Sequence, residues 1–252
     1  MAETRLLTPA GFPLVEPGDD LPGLIAANLA QNEMALQDGD IVILAQKVVS
    51  KAEDRTVDLA RVQPSNRARA LARTCDKDPR LVELILSQST DVLRCRPGIL
   101  IVRHRLGFVL ANAGIDQSNI DHGGGERALL LPLDPDRSAR EIRSALATAG
   151  ANVAVLIIDS AGRAWRLGTT ALCIGAAGMR VLDDRRGHAD LFGRTLTSTV
   201  VAVADEIAAA ASVVMGQGRE ASPLVVARGF AFHSGDDSAQ ELVRPIKEDL
   251  FP

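Results

Sequence analysis

This chain has no tyrosine and a single tryptophan, Trp165. With so few aromatic rings it offers no stacking platform for single-stranded nucleic acid. Cysteine is sparse as well. Cys75, Cys95 and Cys173 are far apart, and no CxxC pair occurs. That pattern excludes both a disulfide framework and a zinc site, and reduced thiols fit a cytoplasmic protein. No apolar run reaches bilayer length without a charge or glycine interrupting it. The start, Met1-Ala2-Glu3-Thr4-Arg5, lacks the apolar region of a signal peptide, so no membrane partner is expected. An excess of positive charge is also missing: 28 Lys and Arg face 32 Asp and Glu, for a net charge of −4. Without a broad basic patch, nucleic acid is not an expected partner. A small anionic ligand would need a local cluster of cations or a bridging metal. Finally, there is no G-x-x-x-x-G-K-[ST] phosphate loop, and no G-x-G-x-x-G between a strand and a helix, which excludes those two nucleotide-binding devices.

What is present is a 252-residue chain, 46% hydrophobic and 24% charged. That is enough for one large domain or two small ones. Its most suggestive stretch follows the strand-like run Leu106-Gly107-Phe108-Val109-Leu110. There Ala111-Asn112-Ala113-Gly114-Ile115-Asp116-Gln117-Ser118-Asn119 turns abruptly polar. Gly114 lets the backbone turn or come close to a ligand. Asp116 offers a hard anionic oxygen suited to Mg²⁺ or Mn²⁺, and Ser118 and Asn119 can hydrogen-bond phosphate, ribose or base. The alternative is an ordinary capped turn, since Asp, Ser and Asn are common turn residues. A second apolar run, Val153-Ala154-Val155-Leu156-Ile157-Ile158, reads as a buried strand. It ends in Asp159-Ser160-Ala161-Gly162-Arg163-Ala164-Trp165-Arg166. Two strands therefore each deliver an aspartate at the C-terminal end, and such a pair can share a divalent ion that also holds phosphates. Arg163 and Arg166 either add positive charge for an anionic group or are solvated and paired structurally.

The remaining chain reads as alternating helices and strands. A helix capped by Asp20 carries Leu24, Ile25 and Leu29 on one face and ends at Gln37-Asp38-Gly39-Asp40. Ile41 to Ala45 is a short buried strand. It continues extended into Gln46 to Glu53, which puts Lys47 and Lys51 on one face; one or both meet phosphates, or they guard a sheet edge. Ser65 to Thr74 and Pro79 to Ser87 are helices, the second with Leu81, Leu84, Ile85 and Leu86 as its apolar side. Gly98 to Val102 and Leu106 to Ala111 are strands joined by a basic turn, Arg103-His104-Arg105, which is either a solvated tip or faces a ligand. Gly123-Gly124-Gly125 reads as a flap or linker. Ser138 and Glu141 have capping-box spacing on a helix whose stripe is Ile142, Ala145, Leu146 and Ala149. Ala171 to Gly178 is small and apolar, suited to close backbone packing. Asp183 to Asp190 is a charged loop. Thr199 to Met215 is a buried alanine-rich helix on which Asp205 and Glu206 bond to a neighbouring segment or serve function. Pro223 to Gly229 is a last strand. Strand, helix and strand in succession suggest layered α and β packing.

Taken together, Gly18-Asp19-Asp20, Gln46 to Glu53, Leu106 to Asn119, Leu130 to Arg143, Asp159 to Arg166, Asp190 to Arg194, Ala202 to Gly216, Arg228-Gly229 and the ending Glu248-Asp249-Leu250-Phe251 resemble the coenzyme F420:L-glutamate ligase (F420-0:gamma-glutamyl ligase) family. The resemblance runs nearly end to end. It implies an α+β fold of mixed sheets packed with helices, in a single catalytic unit over 1–252 without the nitroreductase-like C-terminal extension of some relatives. It also implies a homodimer with sites near the subunit interface. The implied activity joins L-glutamate to the terminal carboxylate of the deazaflavin precursor through an acyl phosphate, using GTP, and then adds γ-linked glutamates. By position Asp116, Asp159 and Ser160 resemble the family's metal ligands for Mg²⁺ or Mn²⁺. Phe12, Pro13, Leu14, Val15, Gln46, Lys51 and Asn119 resemble its guanine-nucleotide contacts. The loop from Met215 to Glu220, including Gly216, Gln217 and Gly218, falls where the family touches nucleotide and metal, with Gln217 as the candidate ligand. Lys51 and Arg166 are the candidate catalytic cations. The chain departs from the family at Asp54, commonly glycine, at Ser160-Ala161, commonly Thr-x, and at Thr169-Thr170-Ala171, where a carboxylate is lost. Two other readings are an amide ligase acting on another acidic cofactor, such as a pterin, and an idle metal- or nucleotide-binding dimer.

Overall fold

A computed structural model describes residues 3–147 and 150–249. In chain order the elements are β1 (Arg5–Leu7), α1 (Leu21–Gln31), β2 (Ile41–Ala45), α2 (Gln46–Ala52), β3 (Thr56–Asp58), α3 (Asn66–Cys75), α4 (Pro79–Ser87), β4 (Ser89–Arg96), β5 (Ile99–His104), β6 (Val109–Ala111), β7 (Arg127–Leu129), α5 (Pro135–Ala147), β8 (Ala154–Arg163), β9 (Arg166–Ala177), β10 (Asp183–Asp184), β11 (Val200–Val201), α6 (Val203–Met215) and β12 (Leu224–Arg228). The main sheet has five strands in the order β1-β12-β2-β8-β9. Only the β2–β8 pair in it is parallel. Three smaller sheets, β4-β5-β6, β3-β7 and β10-β11, complete a mixed α+β architecture.

The apolar runs explain the layers. On β2, Val42 and Leu44 face one cluster with Ile25, Leu29, Ile142 and Leu146 of α1 and α5. The alternate residues Ile41 and Ile43 face a second cluster with Ala204, Ile207, Ala208 and Ala211 of α6. Strands covered on both faces read as continuous apolar runs instead of alternating ones. A third cluster, including Leu59, Ile85, Leu100 and Val102, lies under α3, α4 and β5. Asp40, at the start of β2, is 1% exposed. Arg228 Nε and Nη2 donate to it at 2.8 and 2.6 Å, tying β2 to β12.

Several elements differ from the sequence reading. Helix α1 stops at Gln31, because Asn32 caps it and Met34 N–H bonds back to the Leu29 carbonyl. The segment after β2 is helical, not extended; Lys47 and Lys51 still share a face, now through i,i+4 spacing. Helix α5 is capped by Asp134, which accepts from Arg137 N–H at 2.9 Å, whereas Ser138 lies inside the helix and donates to Glu53. On α5 Ala145 is exposed, and Ala149 lies outside the described residues, as do Leu250 and Phe251 of the family-like ending. On α4 the fully buried positions include Val82, and Leu81 and Leu86 are only partly covered. Strands β1 and β4 were not expected, β1 because it is three residues long and β4 because polar residues interrupt its pattern. Arg103 and His104 belong to β5 instead of a turn, and His104 is 1% exposed. Helix α6 begins at Val203, since Val200 and Val201 pair with Asp183 and Asp184.

Candidate active site

The parallel pairing of β2 with β8 sets Ala45, the last residue of β2, opposite Ile158, while β8 runs on to Arg163 in a hairpin with β9. Gln46 and Lys47 therefore leave one strand beside Asp159 and Ser160 on the other. Ligands of open α/β sheets favour such C-terminal edges. Asp116 arrives by another route. Asn112, Ala113 and Gly114 all take left-handed φ, at 54°, 56° and 66°. A Cβ at Gly114 would lie 2.9 Å from the Leu131 side chain, so this turn needs a glycine. Asp116 then exchanges backbone hydrogen bonds with Leu129 of β7, which brings its carboxylate to the edge.

These residues line an open cleft of about 1110 Å³. The cleft wall includes Phe12, Pro13, Leu14 and Val15, then Gln46, Lys47 and Lys51, then Asp116, Ser118 and Asn119, then Asp159 and Ser160, and finally Met215, Gly216, Gln217 and Gly218. Positions far apart in sequence, read separately as candidates, thus meet in one place. Cross-contacts hold them: Asn119 Nδ2 donates to the Gly218 carbonyl at 3.0 Å, and Ser160 Oγ donates to Gln217 Oε1 at 2.8 Å. Arg166 is not part of this wall. It sits at the tip of the β8–β9 hairpin, where Arg163 pairs with Arg166 in the ladder. The arginines that do line the cleft, Arg61, Arg127 and Arg219, were not singled out by sequence. Arg127 was hidden because β7 is only three residues long, and nothing in its sequence marks it as facing a cleft.

Lys47 Nζ lies 2.5 Å from Asp116 Oδ2 and donates to Ser118 Oγ at 3.0 Å. Asp116 Oδ1 also accepts from Ser118 N–H and Oγ, both at 2.8 Å. Burial works to raise the Asp116 pKa, but the Lys47 ammonium and the Ser118 donors outweigh it and hold the carboxyl below its usual value. Asp159 goes the other way, up to about 7. Burial is the main cause and the negative charge of Asp116 adds to it, while Ser160 N–H, Lys47 and Gln46 only partly offset the rise. Lys51 is half-buried, and its pKa is lowered first by that burial and then by Lys47. Among the described residues it has no carboxylate partner.

Two neighbouring carboxylates, the Ser160 hydroxyl and the Gln217 amide oxygen form a hard oxygen donor set. The reluctance of Asp159 to ionise beside Asp116 is the strain that a divalent cation relieves. Gln46 is 2% exposed; its Oε1 accepts from Ser50 Oγ at 2.8 Å, which turns its amide N–H group toward Asp159. The residues present therefore fit Mg²⁺ or Mn²⁺.

The family departures also find places. Asp54 has φ 53°, a left-handed conformation that favours glycine and that Asp tolerates better than most residues. Ala171 is buried in the α6-side core, 1% exposed, and does not line the cleft. In the β8–β9 ladder it is the direct partner of Ser160, so the family's carboxylate is lost next to the cleft wall.

Comparison with known proteins agrees with this geometry. The family model F420-0:gamma-glutamyl ligase matches residues 11–229. The coenzyme F420:L-glutamate ligase of Methanothermobacter thermautotrophicus is 44% identical over 244 residues, covering 96% of each chain. That of Methanopyrus kandleri is 43% identical over 242 residues, covering 94% of this chain and 93% of its own. That of Archaeoglobus fulgidus is 40% identical over 241 residues, covering 95% and 93%. A match over this span, with the cleft residues inside it, shows that the chain belongs to the F420-0:gamma-glutamyl ligase family.

Proposed function

We propose that this chain ligates L-glutamate, through its amine, to the terminal carboxylate of the F420 precursor at the expense of GTP, and then adds further glutamates through γ-linkages. The observation that carries the reading is the pair Asp116 and Asp159 at one sheet edge, with Lys47 and Lys51 on the adjoining helical turn. Family membership supplies the substrate class.

The chemistry follows from the acid. A carboxylate is not attacked by an amine, because oxide is a poor leaving group. Transfer of the GTP γ-phosphoryl to the carboxylate gives an acyl phosphate and GDP. The glutamate nitrogen then bonds to the acyl carbon, the carbon–oxygen bond breaks, and phosphate leaves with the amine proton. A protein assists mainly by positioning the reactants and neutralising phosphate charge. Phe12, Pro13, Leu14, Val15, Gln46, Asn119 and the Met215–Gly218 loop would hold the guanine nucleotide. Lys51, lacking an anion of its own, would meet its phosphates. Asp116, Asp159, Ser160 and Gln217 would hold Mg²⁺ or Mn²⁺, which supplies Lewis-acid charge neutralisation when bound. Lys47 spans Asp116 in the free chain and is available to phosphate oxygens when that carboxylate is otherwise engaged. The protein works in the cytoplasm as a homodimer, and Arg166 enters the reading only through the hairpin of a second copy.

The test is phosphate release from GTP with Mn²⁺ or Mg²⁺, L-glutamate and the unglutamylated precursor, with products read by mass spectrometry. Release that needs every component, with one glutamate's mass gained, is the expected result, and Asp116→Ala and Asp159→Ala abolish it. Silence from folded protein that binds GTP points to another acid substrate. Silence without GTP binding defeats the reading.

A further inference from the structure

The cleft continues past Lys51 into a region that the nucleotide and metal assignments leave untouched, bounded by Asp54, Asp58, Arg61, Asp121 and Arg127. β3 and β7 run along it, with Asp58 directly opposite Arg127. Leu129, which bonds to Asp116, is two residues along β7 from Arg127, so this region starts about 7 Å along the strand from the paired carboxylates. A small molecule fits that span, with one end reacting near Lys51 and the other held at Arg127.

Arg127 is built into place. Its backbone N–H donates to His122 Nδ1 at 3.2 Å, and its Nη1 donates to the Asp121 carbonyl at 3.2 Å. His122 Nε2 lies 3.0 Å from the Gln117 carbonyl. The glycine run closes over the guanidinium. Gly123 has φ +53°, and a Cβ there would meet Arg127 Nη2 at 2.6 Å. Yet among the described residues no carboxylate lies within ion-pair distance of Arg127, and Arg61 reaches Asp58 only at 3.9 Å. Nearby, and among the same residues, the Asp54 carboxylate makes no hydrogen bond or ion pair, although its backbone sits at φ 53°.

Arg127, without a carboxylate partner, and Arg61, with only a 3.9 Å contact, thus line the same cleft as the unpaired Asp54 carboxylate. A polyphosphate would meet three carboxylates here, Asp54, Asp58 and Asp121. An amino acid with two carboxylates and one ammonium has the complementary charges.

We propose that this end of the cleft is the subsite for the incoming dicarboxylic amino acid, with Arg127 and Arg61 holding its carboxylates. The proposal rests on the ligase reading above. It makes the subsite selective, because a neutral side chain leaves a guanidinium unpaired.

Wild type, Arg127→Ala, Arg127→Lys and Arg61→Ala are compared in two assays. One is calorimetric titration of L-glutamate into enzyme holding Mn²⁺ and a non-hydrolysable GTP analogue. The other is the steady-state KM for GTP, L-glutamate and the precursor, each in turn. Both alanine variants are expected to weaken L-glutamate by about tenfold or more and to change the KM for GTP by less than about threefold, with Arg127→Lys restoring part of the loss. The Arg61 side chain is 87% exposed, so its truncation leaves the fold intact and keeps the test decisive if Arg127→Ala does not fold. Unchanged L-glutamate affinity in folded variants overturns the proposal. So does a rise confined to the precursor's KM, which would make this region the acceptor's seat, and so does a wild type that does not bind L-glutamate. A wild type that binds L-glutamate in a manner sensitive to these arginines, but forms no product, defeats the ligase reading and leaves the subsite standing.

Discussion

At the scale of single residues, burial sets the titration behaviour in two places, with opposite signs. Asp159 has its pKa raised to about 7 by burial and by Asp116, against about 4 in an unfolded chain. The folded state holds a proton that the unfolded state has released, so this group's contribution to stability is present below about pH 4 and is lost as pH rises through about 7. Asp159→Asn should therefore raise the melting temperature of the ligand-free protein at pH 8 and do much less at pH 5, as differential scanning fluorimetry would show. An equal effect at both pH values would mean that Asp159 ionises freely. His104 is the reverse case. Leu106 N–H donates to its Nδ1 at 3.0 Å, which leaves the proton on Nε2, a buried atom with no hydrogen-bond partner. Burial, helped by Arg105 and Arg55, pushes its pKa down to about 4. The unfolded imidazole gains its proton near pH 6.5, so stability falls as pH drops from there to about 4, by about 3 kcal/mol. Urea unfolding of wild type and His104→Asn at pH 7 and pH 4.5 checks this. The variant should be weaker at pH 7 but lose less on acidification, and parallel losses would remove His104 from the account.

At the scale of elements, close backbone contact explains the small residues of β9. A Cβ at Gly175 would come within 2.5 Å of the Pro135 carbonyl oxygen, at the start of α5. Asp136 then fixes this contact, accepting from Ala176 N–H at 2.9 Å and Ala239 N–H at 3.0 Å. Backbone cannot yield as a side-chain tip can, so Gly175→Ala should cost about 1–3 kcal/mol through overpacking, measured by chemical denaturation. A neutral result would show that α5 slides on the sheet without cost. The sequence made the small, apolar character of this run plain, but nothing in it named the partner. Likewise, helix α2 is seven residues long and without a side-chain cap. The sequence shows no start signal there and so reads as extended; the tertiary structure instead coils the segment and brings Lys47 and Lys51 to the cleft.

At the scale of the molecule, several large apolar side chains stand exposed on projecting segments. Leu167 on the β8–β9 hairpin is 99% exposed, and Leu191 and Phe192 are each 91% exposed. No helix among the described residues is long and apolar enough to cross a membrane. Isolated exposed side chains are ordinary, but large apolar groups on projecting segments mark association surfaces. The homodimer expected from the family resemblance should appear as twice the chain mass in light scattering. Leu167→Glu combined with Phe192→Glu should shift it to monomer. Trp165, the sole tryptophan and 87% exposed in the single chain, should then report the loss by a red-shifted emission. A monomeric wild type at micromolar concentration would place Arg166 outside any active site.

The sequence by itself determined the two-sided burial of β2 and β8, because their unbroken apolar runs suit a strand covered on both faces. It also marked Asp116 and Asp159 as paired carboxylates, although Asp159 lies inside β8 and Asp116 follows a turn after β6, and its separated blocks identified the family. What it left open was how those blocks meet. Periodicity reports which face of an element is apolar, not which element faces it. The Ala45–Ile158 register that joins Gln46 to Asp159, the left-handed turn that delivers Asp116, and the placing of Arg127 beside Asp58 all depend on contacts between residues distant in the chain. Those contacts form only when the whole core packs, so only the tertiary structure decided that the candidates share one cleft, that Arg166 stands apart from it, and that arginines unmarked in the sequence stand inside it.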